Sequence, residues 1–298
     1  MHELHFSFGA VLIVLTVACL PVYVRIIYLF ISLAKYRDLQ CYRVMAQQGI
    51  AHCLMAPYFI SLGIGHFLGG DFHHVGQTSL KLMGACLRSE AIFGFVLALD
   101  RLQLLCDLSY PNLVHTLICI FSWLFGLTYF TMLMTPGADF ILDIASYSSY
   151  FDTSKPYSIY VQEAGYCVVL VCSCLTFAVY SILVIYLIWR RHKQHVHGNY
   201  FQEKVIFIQA VIRFVSDACL TVLYNFGSSF FGPSFPLRMV TTICYILNYL
   251  FLPPLLYLLL ISSIRERLIP RKGNVDGSLV FARGMRSHSR VSSILPPL

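Results

Sequence analysis

The sequence predicts an all-α membrane protein: a bundle of seven transmembrane helices, N-terminus outside and C-terminus cytoplasmic. Three observations carry that reading. Hydrophobic residues make up 58% of the 298 positions and charged residues only 12%, against roughly a quarter charged in a soluble domain. The apolar residues gather into seven blocks, at about 8–33, 44–68, 80–105, 113–134, 160–189, 205–226 and 237–264, each near the ~20 residues that a helix needs to cross a hydrocarbon core. The Lys and Arg residues crowd between alternate blocks. A backbone in lipid must satisfy its own hydrogen bonds, and blocks this continuous lack the alternation of barrel strands, so they are read as helices.

Taken in order, the first block follows only His2, Glu3 and His5, without a basic leader, and reads as an uncleaved first helix. Lys35, Arg37 and Arg43 separate it from the second block, and Arg101 ends the third. Arg190, Arg191, Lys193 and Lys204 lie between the fifth and sixth, and seven more basic residues follow the seventh. Only Lys81, Lys155 and Arg238 fall on the other side, so the positive-inside rule sets the orientation. The net charge of +7 is then a topology signal aimed at anionic membrane lipids, and nucleic acid is not an expected partner.

The stretch 135–165, with four acids and one base, is expected to fold over the bundle mouth as a lid. Residues 1–268 form the bundle and 269–298, rich in Pro, Gly, Ser and Arg, a disordered basic cytoplasmic tail. The eleven cysteines lie in the blocks or at cytoplasmic helix ends, so no loop-stapling disulfide is expected. His66, His73 and His74 have no cysteine or carboxylate cluster to complete a tetrahedral set, and neither metal nor cofactor is expected.

Charges inside the blocks are the candidates for function, because each costs about 3 kcal/mol at membrane depth. Asp100 and Arg101 stand some 20 residues into the third block, which puts them at the cytoplasmic water boundary. Arg213 and Asp217, four apart on one face of the sixth helix, either neutralise each other or form a polar node with Arg88 or Glu90 of the third helix. With Tyr224, these four are the ligand-pocket candidates. Pro253 and Pro254 lack backbone donors and should bend the seventh helix. Glu203, at the base of the sixth, could hold Arg101 or simply pair with Lys204.

"LALDR" (97–101) resembles the acidic-Arg signature ending the third helix of rhodopsin-like receptors. Pro254 and Tyr257 resemble their seventh-helix Pro-x-x-Tyr, and Trp123 their fourth-helix Trp. A nearer resemblance is to the class T serpentine chemoreceptors of nematodes, carried by "CYRVMAQQGIAHC" (41–53), "LALDR", "FIQAVI" (207–212) and "LPPLLYLLLISSIRERL" (252–268), with "GDFHHVGQTSLKLMGACLRSE" (70–90) also similar. It implies a G-protein-coupled chemosensory receptor in the plasma membrane of sensory neurons. Such a receptor takes a small-molecule ligand from outside and signals to a heterotrimeric G protein through Asp100, Arg101, Arg190, Arg191, Lys193, Glu203, Pro253, Pro254 and Tyr257. The chain departs from the patterns at Leu102, which replaces an aromatic. It departs also at Pro253 and Gly76, where rhodopsin-like receptors have Asn and a disulfide-forming Cys, and at Asp100 and His52, where class T favours Asn and Asp.

Two other classes were weighed on the residues. An enzyme would need Asp100 and Asp217 to share a proton, but one belongs at the rim and the other near mid-membrane. A small-solute transporter or channel would use Arg88, Glu90, Arg213 and Asp217 as its path and is the alternative to a receptor.

Overall fold

The computed structural model describes residues 2–106, 108–111, 113–193, 201–232 and 234–268, with backbone alone at 2, 72, 148, 187, 190–193, 201–207, 225, 228, 262 and 263. Seven long helical rods run through the described residues: α1 (His2–Ser32), α2 (Gln40–Leu68), α3 (Val75–Leu105), α4 (Leu113–Met134), α5 (Ser158–Lys193), α6 (Phe201–Phe231) and α7 (Phe235–Leu260). Among the described residues six of them, all but α6, are long and apolar enough to cross a membrane; α6 itself is 31 residues long. Val14, Leu124, Leu127, Phe177 and Ile185 point outward, each more than half exposed, as a lipid-facing surface requires. The protein is a multi-pass membrane protein.

The rods start earlier than the apolar blocks because polar first turns, such as Gln40–Arg43 and Val75–Ser79, continue the helices beyond the hydrocarbon stretch. α3 is the central rod, packed against α2, α4, α5 and α6. α1 lies outside it, against α2 and α7. A Cβ on Gly9 would stand 2.7 Å from the Gly63 carbonyl, so α1 and α2 meet backbone to backbone, as small residues allow in lipid.

Two expectations need correction. The chain is not all α: β1 (Phe140–Asp143) and β2 (Ser148–Phe151) pair antiparallel, Phe140 opposite Phe151 and Asp143 opposite Ser148. A local signal makes the turn. The Asp143 carboxylate accepts from the amides of Ala145 (3.1 Å) and Ser146 (3.3 Å) and from the Ser146 hydroxyl (2.6 Å), an Asx-type turn. Those donors hold the Asp143 carboxyl below its usual range, the hydroxyl most of all.

Nor is the seventh rod one regular helix to residue 264. Leu247–Phe251 form a π turn just before Pro253 and Pro254. A proline ring collides with the carbonyl four residues back and supplies it no N–H, and a wider turn relieves both problems. At Ile261 the backbone is extended (φ −109°, ψ 91°), which ends α7 and starts the short α8 (Ser262–Leu268). The tail, 269–298, lies outside the described residues.

Candidate functional site

Between α2, α3, α5, α6 and α7 lies a cavity of about 1240 Å³, roofed by the hairpin. That exceeds the ~300–1,000 Å³ of most small-molecule sites. Its walls are aromatic: Tyr58 and Phe59 from α2, Tyr166 from α5, Tyr224 from α6, and Tyr245 and Tyr249 from α7. Phe140, Leu142, Tyr147 and Phe151 form the roof, with Phe140 and Phe151 stacked at 4.4 Å.

The roof is fastened without sulfur, all eleven cysteines being free. Asp139, at the foot of β1, accepts from Lys81 Nζ at 2.8 Å and Gln77 Nε2 at 2.9 Å, both in the first turns of α3. Its amide donates to Ser158 Oγ, at the start of α5, at 3.0 Å. Gly76 still touches the hairpin: a Cβ there would sit 2.9 Å from Leu142 Cδ2 and 2.8 Å from the Asp71 carboxylate that caps α3. Closer to the turn, Arg238 of α7 donates to the Ser146 carbonyl at 2.8 Å. The Tyr147 ring stacks on His5 (4.5 Å) and His66 (4.8 Å), whose Nδ1 atoms are 2.9 Å apart.

On the cavity wall, Glu90 of α3 collects donors from two other helices. Its Oε1 accepts from Arg213 of α6 at 3.0 Å and from Gln48 of α2 at 2.9 Å. His52 Nε2 lies 3.8 Å from the same oxygen and 3.3 Å from Arg213, and its Nδ1 meets the Tyr23 hydroxyl of α1 at 2.7 Å. All five side chains are buried. Gln48 and His52 share a face of α2 because they are four residues apart, so one carboxylate ties four helices together.

The sixth-helix charges do not pair as neighbours. The ion pair of Arg213 crosses to Glu90, while Asp217 accepts from Asn248 in the π turn, and Asn248 in turn accepts from Ser216 Oγ at 2.7 Å. Arg88 donates to the Gly84 carbonyl of its own helix at 2.8 Å and lies over the Tyr129 ring at 4.7 Å. Tyr224 is half exposed and meets Tyr245 edge-on at 6.1 Å.

At the opposite end of α3, Asp100 and Arg101 are buried within the protein rather than facing solvent. They are 8% and 1% exposed, with Arg101 Nη2 2.9 Å from Asp100 Oδ2. They stand in the last turns of α3, and α3 runs through the middle of the bundle, so neighbouring rods wall in even these turns. Tyr257 is buried too, 5.3 Å from Phe30 and 6.4 Å from Tyr23 between ring centres. Pro253 and Pro254 are buried in the first turn after the π turn. The side chains of Arg190, Arg191, Lys193 and Glu203 lie outside the described residues.

No protein-family profile and no curated protein matches the chain. Among solved structures, squid rhodopsin aligns with 99% of this chain and 93% of its own, at a TM-score of 0.59 and 12% identity. The bundle has the rhodopsin fold. That likeness is one of backbone arrangement, and it covers the roofed cavity and the Asp100–Arg101 end alike. Among the polar residues that build the site, sequence reasoning missed Gln48, Asn248, Gln77 and Asp139. The signal for Asn248 was visible, a lone amide in an apolar run being expensive without a partner, whereas Gln48 stands beside Gln47 and the pair gave no such contrast. Asp139 and Gln77 lie in loop or first-turn sequence where polar residues are ordinary, and nothing singled them out.

Proposed function

We propose that the protein is a G-protein-coupled chemosensory receptor of the class T serpentine kind, with the hairpin outside the cell and the Asp100–Arg101 end in the cytosol. A small molecule enters beneath the hairpin, and a heterotrimeric G protein reads the far end in the plasma membrane of a sensory neuron. One observation carries this reading: α3 runs as one helix from the roofed aromatic cavity, through the Glu90–Arg213 pair, to the buried Arg101. Whatever shifts α3 against α6 at the cavity is transmitted along a rigid rod.

The two ends differ in what restrains them. Glu90–Arg213 bridges α3 and α6, so it acts as the fixed point. Asp100–Arg101 joins sequence neighbours, so that end can open without breaking this ion pair. The π turn, with Asn248 held to Asp217 and Ser216, is the pivot for α7. A ligand that favours the open arrangement shifts the equilibrium by its differential affinity for the two states.

Screening odorants against a calcium readout in cells supplies the agonist, and Arg101→Gln then tests the pathway. Agonist-driven nucleotide exchange on the G protein should be lost while the amount of receptor at the surface is kept; unchanged signalling overturns the role of Arg101. Epitope tags should report the termini on opposite sides of the membrane, and tags found on one side defeat the whole topology.

A further inference from the structure

We infer that Arg88 is the anchor for an anionic group of the ligand, so that the cavity takes an amphipathic organic anion: a carboxylate or phosphate on an apolar body. The inference rests on the receptor reading only for the word ligand, since it is tested by binding alone. It starts from the charged side chains that line the cavity. Glu90 and Arg213 pair with each other, Asp217 is held by Asn248 beside Arg213, Arg238 is engaged by the Ser146 carbonyl, and Glu163 of α5 is an exposed carboxylate at the cavity edge.

Arg88 is different. Its bonds are to the Gly84 carbonyl and the face of Tyr129, and no carboxylate lies within ion-pair distance among the described residues. Its Nε is buried without a partner, pressed against Gly165 of α5, where a Cβ would stand 2.8 Å from it. With that edge closed by α5 and Nη1 given to the Gly84 carbonyl, Arg88 lines the cavity. Arg88 is eight residues into the apolar block that begins at Leu80, or ~12 Å along the helix, where an uncompensated cation is expensive.

A fold that holds a guanidinium there, stacked and already stripped of alternatives, has prepared it for a two-pronged contact with an acid. Tyr245, within electrostatic reach of Arg88, and the stacked Phe140 and Phe151 supply the surface for the apolar body.

The test is thermal stabilisation of the full-length protein in phosphatidylcholine nanodiscs by carboxylic acids of six to twelve carbons and by their primary amides. At least one acid should stabilise the protein and its amide should not. Arg88→Gln should weaken that acid roughly 10- to 100-fold, the range expected for one charged hydrogen-bonded contact. Arg88→Lys should keep the preference at reduced affinity, and it decides the matter if the Gln variant does not fold. A second arm adds phosphatidylglycerol: stabilisation that needs Arg88 and appears only there supports the site and assigns its anion to a lipid headgroup.

Equal binding of acid and amide, binding of amines only, or no shift by any acid or by phosphatidylglycerol overturns the inference. So does an acid preference that survives Arg88→Gln and vanishes in Arg238→Gln, which puts the anion at the mouth. Binding that depends on Arg88 but never activates a G protein leaves this inference standing and breaks the receptor reading.

Discussion

Two buried ion pairs sit on α3, eleven residues or ~16 Å apart, and they are built in opposite ways. Arg213 comes from α6, 123 residues along the chain, to meet Glu90, which Gln48 also bonds. Arg101 meets Asp100, its own neighbour, and its Nε has no hydrogen-bond partner. The first pair exists only if three rods are correctly packed, so it reports and holds the tertiary arrangement. The second joins neighbours on one helix, so its ion pair ties no second rod to α3. Inside one bundle, a long-range pair acts as a lock and a local pair as a reserve of buried charge that a moving neighbour or partner can recruit.

That contrast can be broken from the lock side first. Glu90→Gln takes the ion-pair partner from buried Arg213, leaving it only the nearby Asp217, and should destabilise the protein by up to about 3–5 kcal/mol, seen as a fall in correctly folded protein and in melting temperature. Glu90→Leu combined with Arg213→Met should recover most of that loss, since a packed apolar pair replaces a buried ionic one at little expense. A single Glu90→Gln variant as stable as wild type would mean that the lock is not one.

Asn248→Ala comes next, stripping bonds from Asp217 and Ser216 together for about 1–3 kcal/mol, again by thermal unfolding. A smaller change is expected at the roof. Asp139→Asn removes a partly exposed ion pair with Lys81 worth at most about 1 kcal/mol. It should raise hydrogen exchange in β1 and β2 and leave the melting temperature nearly unchanged, and a large fall in melting temperature would show the hairpin to be structural for the bundle.

The smallest effect is at Asp143. Its folded-state carboxyl titrates below the unfolded value, so what it contributes to the turn is present above about pH 4 and fades as the pH falls through the lower folded value. Proteolytic nicking at the turn should rise in that acid window, and Asp143→Asn should nick equally at all pH values.

The rods were legible because lipid imposes one rule on every residue of a span: apolar, continuous and near 20 long. Glu90, Arg213 and Asp217 stood out by the same rule, as charges where charges are expensive. Their partners did not. Four-residue spacing offered Asp217 to Arg213, and only the approach of α3 to α6 gave Arg213 to Glu90. The turn chemistry at Asp143 and Ser146 was local and readable, yet strands of four residues are too short for periodicity to announce them. Pro253 and Pro254 signalled a bend in α7; the widened π turn that absorbs it is a matter of which carbonyls the neighbours leave room for.

By itself, then, the sequence determined that the chain is a membrane bundle of apolar rods, where its charges fall along them, and where its last rod must deform, since each follows from composition and covalent geometry. The tertiary structure alone decided which charges are partners, that Asp100 and Arg101 are buried, and that the hairpin is tied down by Asp139. Those outcomes depend on distances between rods far apart in the chain, and spacing along one helix carries no information about them.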